Sequence, residues 1–188
     1  MNRGENKAKN RYVALFRAIN VGGNAIIKMA DLKKRVESLG LSDVSTYIQT
    51  GNVLFSSGEA GIAALESLLE KGIRDKFKYD VKVFVLSLAQ LKKAADNNPF
   101  DAQRLAEDQL CHLMFLAEKP SADRVKALMA LQGKEYRFKV QDKVFYFAYN
   151  KADAGPKRRN LNFEKLLGVT GTARSFKVVD KLIELLGT

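Results

Sequence analysis

Apolar residues in this chain occur in two kinds of run, alternating ones of period two and helical ones of period 3.6. Residues 12–19 are apolar or aromatic up to Arg17, which predicts a strand, and the polar stretch that follows, with Gly22 and Gly23, predicts a loop. Met29, Leu32, Val36 and Leu39 then fall on one helical face and stop at Gly40, the preferred residue just past a helix end. Residues 44–49 and 53–57 are short β-type runs whose junction contains Gly51, which supplies the positive φ of a tight turn. Ile62, Leu65, Leu69, Ile73 and Phe77 mark a second helix, and residues 81–86 a fourth strand. The order β-α-β-β-α-β is the split β-α-β of ferredoxin-like domains.

Ser87 and Gln90 stand at capping-box spacing, so a short helix starts there and ends before the Asn97-Asn98-Pro99-Phe100 break. Past that break the pattern begins again. Residues 112–117 read as a strand, Pro120 and Ser121 open a helix, and residues 135–140 and 143–149 form a hairpin across Gln141 and Asp142. The chain then closes with two helical patterns, at 163–167 and at Phe176, Val179, Leu182, Ile183 and Leu186, rather than with a last strand. The expected fold class is therefore α+β, with two ferredoxin-like halves in tandem, the second incomplete and ending in helices. The expected division is a disordered basic tail at 1–11, a first half at 12–100 and a second at 108–188.

In the first half, alternation puts Val13, Leu15, Val44, Ile48, Leu54, Val81, Val83 and Val85 on faces suited to cover by helices, and Tyr12, Phe16, Tyr47, Phe55 and Phe84 on the opposite faces. An aromatic sheet face can stack nucleic-acid bases, but no RNP-type string is present. Burial against the second half is the plainer use of those rings, so Tyr12, Phe16, Tyr47 and Phe84 are expected to be mostly buried there.

Five ordered segments resemble a known bacterial family: RAINVGG at 17–23, KMADL at 28–32, YIQTGNVLFSS at 47–57, NNPF at 97–100 and GVTGTAR at 168–174. The chain is similar to the family of domain of unknown function 1697. That resemblance implies two ferredoxin-like halves and no established activity, substrate or cofactor. The sequence departs from the family pattern at Ala18, where glycine is usual, at Arg159 and Asn160, where Ser and Lys are usual, and in the run that follows Arg174.

Charge and chemistry narrow the classes. The net charge is +11, with the excess at the two ends, in Lys7, Lys9 and Arg11 and in Lys151, Lys157, Arg158, Arg159, Arg174, Lys177 and Lys181. Such ends attract polyanions, although basic surfaces also simply keep proteins soluble. A single histidine, His112, rules out sites needing two imidazoles, and a single cysteine, Cys111, rules out an intrachain disulfide. Adjacent strand residues face opposite ways, so Cys111 and His112 do not form a nucleophile and base pair. No cofactor motif is present: the Asn20-Val21-Gly22-Gly23 loop fits neither Walker nor Rossmann spacing. The polar start of the chain, with no apolar run long enough for a leader or a span, leads to the expectation of a cytoplasmic protein.

Two segments suit an anion. Gly22 and Gly23 let backbone approach a phosphate, and Thr170-Gly171-Thr172, read as the start of the last helix, places hydroxyls and N–H groups at a positive helix end with Arg174 in its first turn. Arg17 ends an apolar strand beside the glycine loop and needs a partner or solvent. The candidate binding residues are therefore Arg17, Asn20, Gly22, Gly23, Gln49, Asn52, Thr170, Thr172 and Arg174, converging on a basic cleft between the halves. The expected ligand carries phosphate, as a nucleotide or nucleic acid. The alternatives are an enzyme acting on a small anionic substrate, for which no general base stands out, and an interaction scaffold.

Overall fold

In a computed structural model, the described residues are 9–23, 25–59, 61–100, 109–133, 136–150 and 161–188. The chain divides into two compact units, residues 1–90 with 182–188, and residues 91–181.

The first unit holds β1 (Asn10–Phe16), α1 (Met29–Ser38), β2 (Ser42–Tyr47), β3 (Asn52–Ser57), α2 (Ile62–Phe77) and β4 (Val83–Ser87). Its sheet has the order β2-β3-β1-β4, with every neighbouring pair antiparallel. The strand β3 thus lies between β1 and β2, the two strands that α1 connects. The helix α1 ends as its sequence requires, with Gly40 at φ 85° and its N–H on the Glu37 carbonyl.

The faces of this sheet correct the alternation reading. Tyr12, Ala14, Phe16, Val53, Phe55, Val83 and Val85 share one face, where they pack with Leu32 and Val36 of α1 and Leu65, Leu69 and Ile73 of α2. The rings of Tyr12 and Phe55 lie 5.8 Å apart within that helix-covered core. Val13, Leu15, Leu54 and Phe84 occupy the other face and are buried as well. Tyr12, Phe16 and Phe84 are therefore buried and Tyr47 half-buried, but the first two lie under the helices. In β1 every residue from 12 to 16 is apolar, so no polar side told one face from the other.

The second unit begins within α3 (Leu88–Asp96), whose start shows both halves of the capping box: Ser87 N–H donates to Gln90 Oε1 and Gln90 N–H to Ser87 Oγ. Then come β5 (Gln109–Leu116), α4 (Ala122–Met129), β6 (Tyr136–Gln141), β7 (Val144–Asn150), α5 (Phe163–Leu167), β8 (Gly171–Ser175) and the start of α6 (Phe176–Gly187), whose residues from Leu182 on belong to the first unit. Its sheet order, β6-β7-β5-β8, repeats that of the first unit. The expectation of an incomplete second half is overturned by β8. Gly-Thr-Ala-Arg-Ser has no apolar alternation to mark it as a strand, and pairing with β5 decides its conformation. Gly171 permits the approach, because a Cβ there would lie 2.7 Å from Met114 Cε and 2.9 Å from the Phe115 carbonyl oxygen.

The edge strands are closed in both sheets. On β4, Val83 N–H donates to Glu70 Oε1 and Val85 N–H to Glu66 Oε1. Gln132 accepts from Phe138 N–H on β6, and Glu164 accepts from Gly171 N–H on β8. Between Ser42 and Ser45 the β2 register shifts, with Asp43 at φ 52°. A bulge of this kind, and side chains that take up edge N–H groups, discourage edge-to-edge pairing.

Candidate functional site

The first-unit candidates gather around one side chain. Asn20 sits at φ 56°, where asparagine is one of the few residues accommodated easily. Its Nδ2 donates to the carbonyls of Ile27 and Gln49, each at 2.9 Å, and its Oδ1 accepts from Ile27 N–H at 2.8 Å. The loop after β1 is thereby tied both to its own far end and to the β2–β3 turn. Gly51 closes the same junction: at φ 77°, it would place a Cβ 2.6 Å from Ile19 Cγ1. Asn52 is fully buried and locks the turn from within, donating to the Tyr47 carbonyl and Thr50 Oγ1. Asn20 and Asn52 thus work as structural clamps, with their amides committed to the loops they join.

What these clamps hold in place is exposed. Gly22 and Gly23 lie at φ 62° and 80°, with nothing within 4 Å of where a side chain would start. Their conformation alone requires glycine, and the backbone there is open to solvent. Gln49 is exposed, and Arg17 is half-buried with its N–H on the Lys82 carbonyl. Asn20 thus ties the loop that carries Gly22 and Gly23 to the backbone of Gln49. Val21 and Ile26 flank the glycines and are 52% and 69% exposed, an apolar margin the periodicity did not single out.

The second-unit candidates lie on a strand, which corrects the reading of a helix start. Thr170 is exposed and its carbonyl accepts from Ala117 N–H, while Thr172 and Arg174 are buried on β8. Arg174 faces the same side as Leu113, and its Nη1 donates to Thr172 Oγ1 at 2.8 Å and to the Ala173 carbonyl at 2.9 Å. Burial pulls its guanidinium down to about 10. The Gly171 N–H, read as open to an anion, is held by the Glu164 carboxylate at 2.8 Å.

Cys111 and His112 point to opposite faces of β5, as expected of neighbours on a strand. Burial raises the Cys111 thiol, which exchanges contacts with the Asn98 amide, and the His112 ring stacks on Phe147 with centroids 5.0 Å apart. The NNPF segment is therefore a packing device: Asn98 also accepts from Phe100 N–H, and the Arg137 guanidinium lies 5.2 Å over the Phe100 ring. Among the described residues no group of three His, Cys, Asp or Glu could hold a metal, and no helix is long and apolar enough to cross a membrane.

The family described as protein of unknown function (DUF1697) matches residues 9–146. The chain belongs to this family. The DUF1697 match runs from β1 into the first three residues of β7, including the Asn20 clamp and the glycine loop. No curated protein is significantly similar to the chain. Among solved structures, the conserved bacterial protein SP0830 from Streptococcus pneumoniae superposes with a TM-score of 0.75 at 25% identity, over 95% of this chain and 99% of that one. Neither description carries an activity.

Sequence reasoning missed one polar concavity. Asp31, Arg35 and Ser38 recur at helical spacing on α1 and, with Lys34, border a groove completed by Lys76 and Phe77 of α2. The signal was a second polar stripe on each amphipathic helix, which looks like ordinary solvated surface until the two helices are placed side by side.

Proposed function

We propose that this protein binds a phosphate-bearing ligand, a nucleotide or a nucleic-acid phosphate, through the loop at 17–23 in the first unit. The observation that carries the reading is the pair Gly22 and Gly23, an exposed backbone in left-handed geometry held by the Asn20 clamp. A preformed loop loses little conformational entropy when an anion docks, and Arg17 supplies a planar donor at its base. The net charge of +11 favours the encounter. A lone cysteine, buried at 111, fits a reducing compartment, and on that ground we place the protein in the cytoplasm.

The burial of Tyr12, Phe16 and Phe55 beneath helices argues against base stacking on the first sheet, so phosphate contact is favoured over base recognition. Titration with a mononucleotide and with a short oligonucleotide tests the reading. Arg17→Ala should weaken binding more than it lowers the denaturation midpoint, and Gly22→Val should do the same. Unchanged affinity in the Arg17 and Gly22 variants would refute the loop assignment.

A further inference from the structure

The groove along α1 and α2 is distinct from the glycine loop and has the composition of a ligand site. It is an open groove of about 460 Å³ lined by Asp31, Lys34, Arg35, Ser38, Lys76 and Phe77. On the same helices, Lys33 lies 3.8 Å from Glu37 and Arg74 lies 2.6 Å from Asp80. The cations facing the groove are not so matched. Among the described residues, Lys34 and Lys76 make no ion pair, and Arg35 donates only to neutral oxygens, Nε to the Gly72 carbonyl at 2.9 Å and Nη1 to Ser38 Oγ at 3.3 Å. Those two bonds fix the guanidinium across the gap between the helices. The close approach at Gly72 sets that gap, since a Cβ there would lie 2.6 Å from Leu39 Cδ1.

We infer that this groove is a second, independent binding site, and that it takes a phosphomonoester whose organic part lies against Phe77. Three positive groups on two helices outnumber the single carboxylate of Asp31, so a compact dianion is the charge that complements them. The Asp31 carboxylate accepts from hydroxyls of the organic part, and the half-buried Phe77 ring provides an apolar surface for its carbon skeleton. Sugar phosphates and mononucleotides share this chemistry.

The test is a heteronuclear NMR titration of the full chain with inorganic phosphate, a hexose phosphate and a nucleoside monophosphate, each at constant ionic strength. One of the two organic phosphates should shift the amides of residues 31–38 and 72–77 and bind more tightly than inorganic phosphate. Lys34→Ala with Lys76→Ala, two exposed positions, should cut that affinity at least about tenfold, the scale of losing charge-assisted contacts. Arg17→Ala should leave it unchanged. The inference is overturned if no organic phosphate shifts those amides at millimolar concentration, if all three anions bind equally, or if the double variant binds as well as wild type. A response lost in the Arg17 variant but kept in the double variant assigns phosphate to the glycine loop alone and equally ends the groove proposal.

Discussion

Glu66 Oε1 accepts the Val85 N–H at 3.0 Å, and one helical turn further along α2, Glu70 Oε1 accepts the Val83 N–H at 3.1 Å. Four residues of helix advance about 6 Å and two residues of strand about 6.6 Å, so the two carboxylates match the spacing of two N–H groups on an edge strand. Glu70 also holds Lys82 at 2.8 Å, whose ammonium is raised chiefly by that hydrogen bond. Replacing Glu66 by Ala should cost about 1–3 kcal/mol, because a strand N–H loses its acceptor. Glu66→Gln, which keeps an oxygen in place, should cost less. Urea denaturation of the two variants gives the comparison. Equal losses would show that charge, rather than the acceptor, is what matters.

Asn20 offers a second comparison. Asn20→Ala removes three bonds to backbone and leaves the buried Ile27 N–H without its acceptor, which predicts a loss of about 2–4 kcal/mol. In Asn20→Asp a carboxylate oxygen would face the carbonyls of Ile27 and Gln49, so the variant should be similarly unstable at neutral pH. It should recover as pH falls through the carboxylate range, since the protonated acid can donate again. Denaturation midpoints measured at pH 4 and 7 check the sign.

Gly22 and Gly51 separate conformation from packing. Both lie at positive φ, but only Gly51 has a neighbour where its Cβ would go, Ile19 Cγ1 at 2.6 Å. Gly22→Ala should cost about 1–2 kcal/mol from the backbone alone. Gly51→Ala should cost roughly 1–3 kcal/mol more from the forced shift of Ile19. If Ile19→Ala fails to soften the Gly51→Ala loss in a double-mutant cycle, the packing account is wrong.

Tyr146 predicts an alkaline transition. Its hydroxyl donates to the Ala94 carbonyl at 2.9 Å, and burial, with a smaller contribution from Cys111, raises the phenol from its ordinary value to about 12. The folded state keeps the proton longer than the unfolded chain does. The contribution is therefore full below pH ~10, where the free phenol titrates, and is lost as pH climbs to about 12. Tyr146→Phe should lower stability at pH 7 by about 1 kcal/mol for the lost hydrogen bond, and should flatten the decline above pH ~10. Parallel slopes in wild type and variant over that window would contradict this.

Many element types were legible in the chain because each followed from local spacing. The α2 stripe from Ile62 to Phe77, the Ser87 and Gln90 box, the stop at Gly40 and the β2–β3 turn at Gly51 all depend on residues within a few positions of one another. The strand β1 starts at Asn10, ahead of the apolar run that marked it, because its register with Ser57 and Ser56 continues past Tyr12. Among the candidate site residues, glycines 22 and 23 were identifiable from their type, whereas the duties of Asn20 and Asn52 depend on carbonyls that only the folded loops bring near.

The sequence by itself determined that this protein alternates strands and helices in a repeated order, because hydrophobic period and capping chemistry are properties of short windows. It also determined that no disulfide and no two-histidine site could form within this chain, which follows from counting. Tertiary structure alone decided which face of β1 meets the helices, since an unbroken apolar run from 12 to 16 has no polar side to choose by. It alone made a strand of residues 171–175, because a segment of small and polar residues takes its conformation from the partner it pairs with. And it alone opposed Glu66 and Glu70 to Val85 and Val83, since a helix and an edge strand can be matched in spacing only once they are packed against each other.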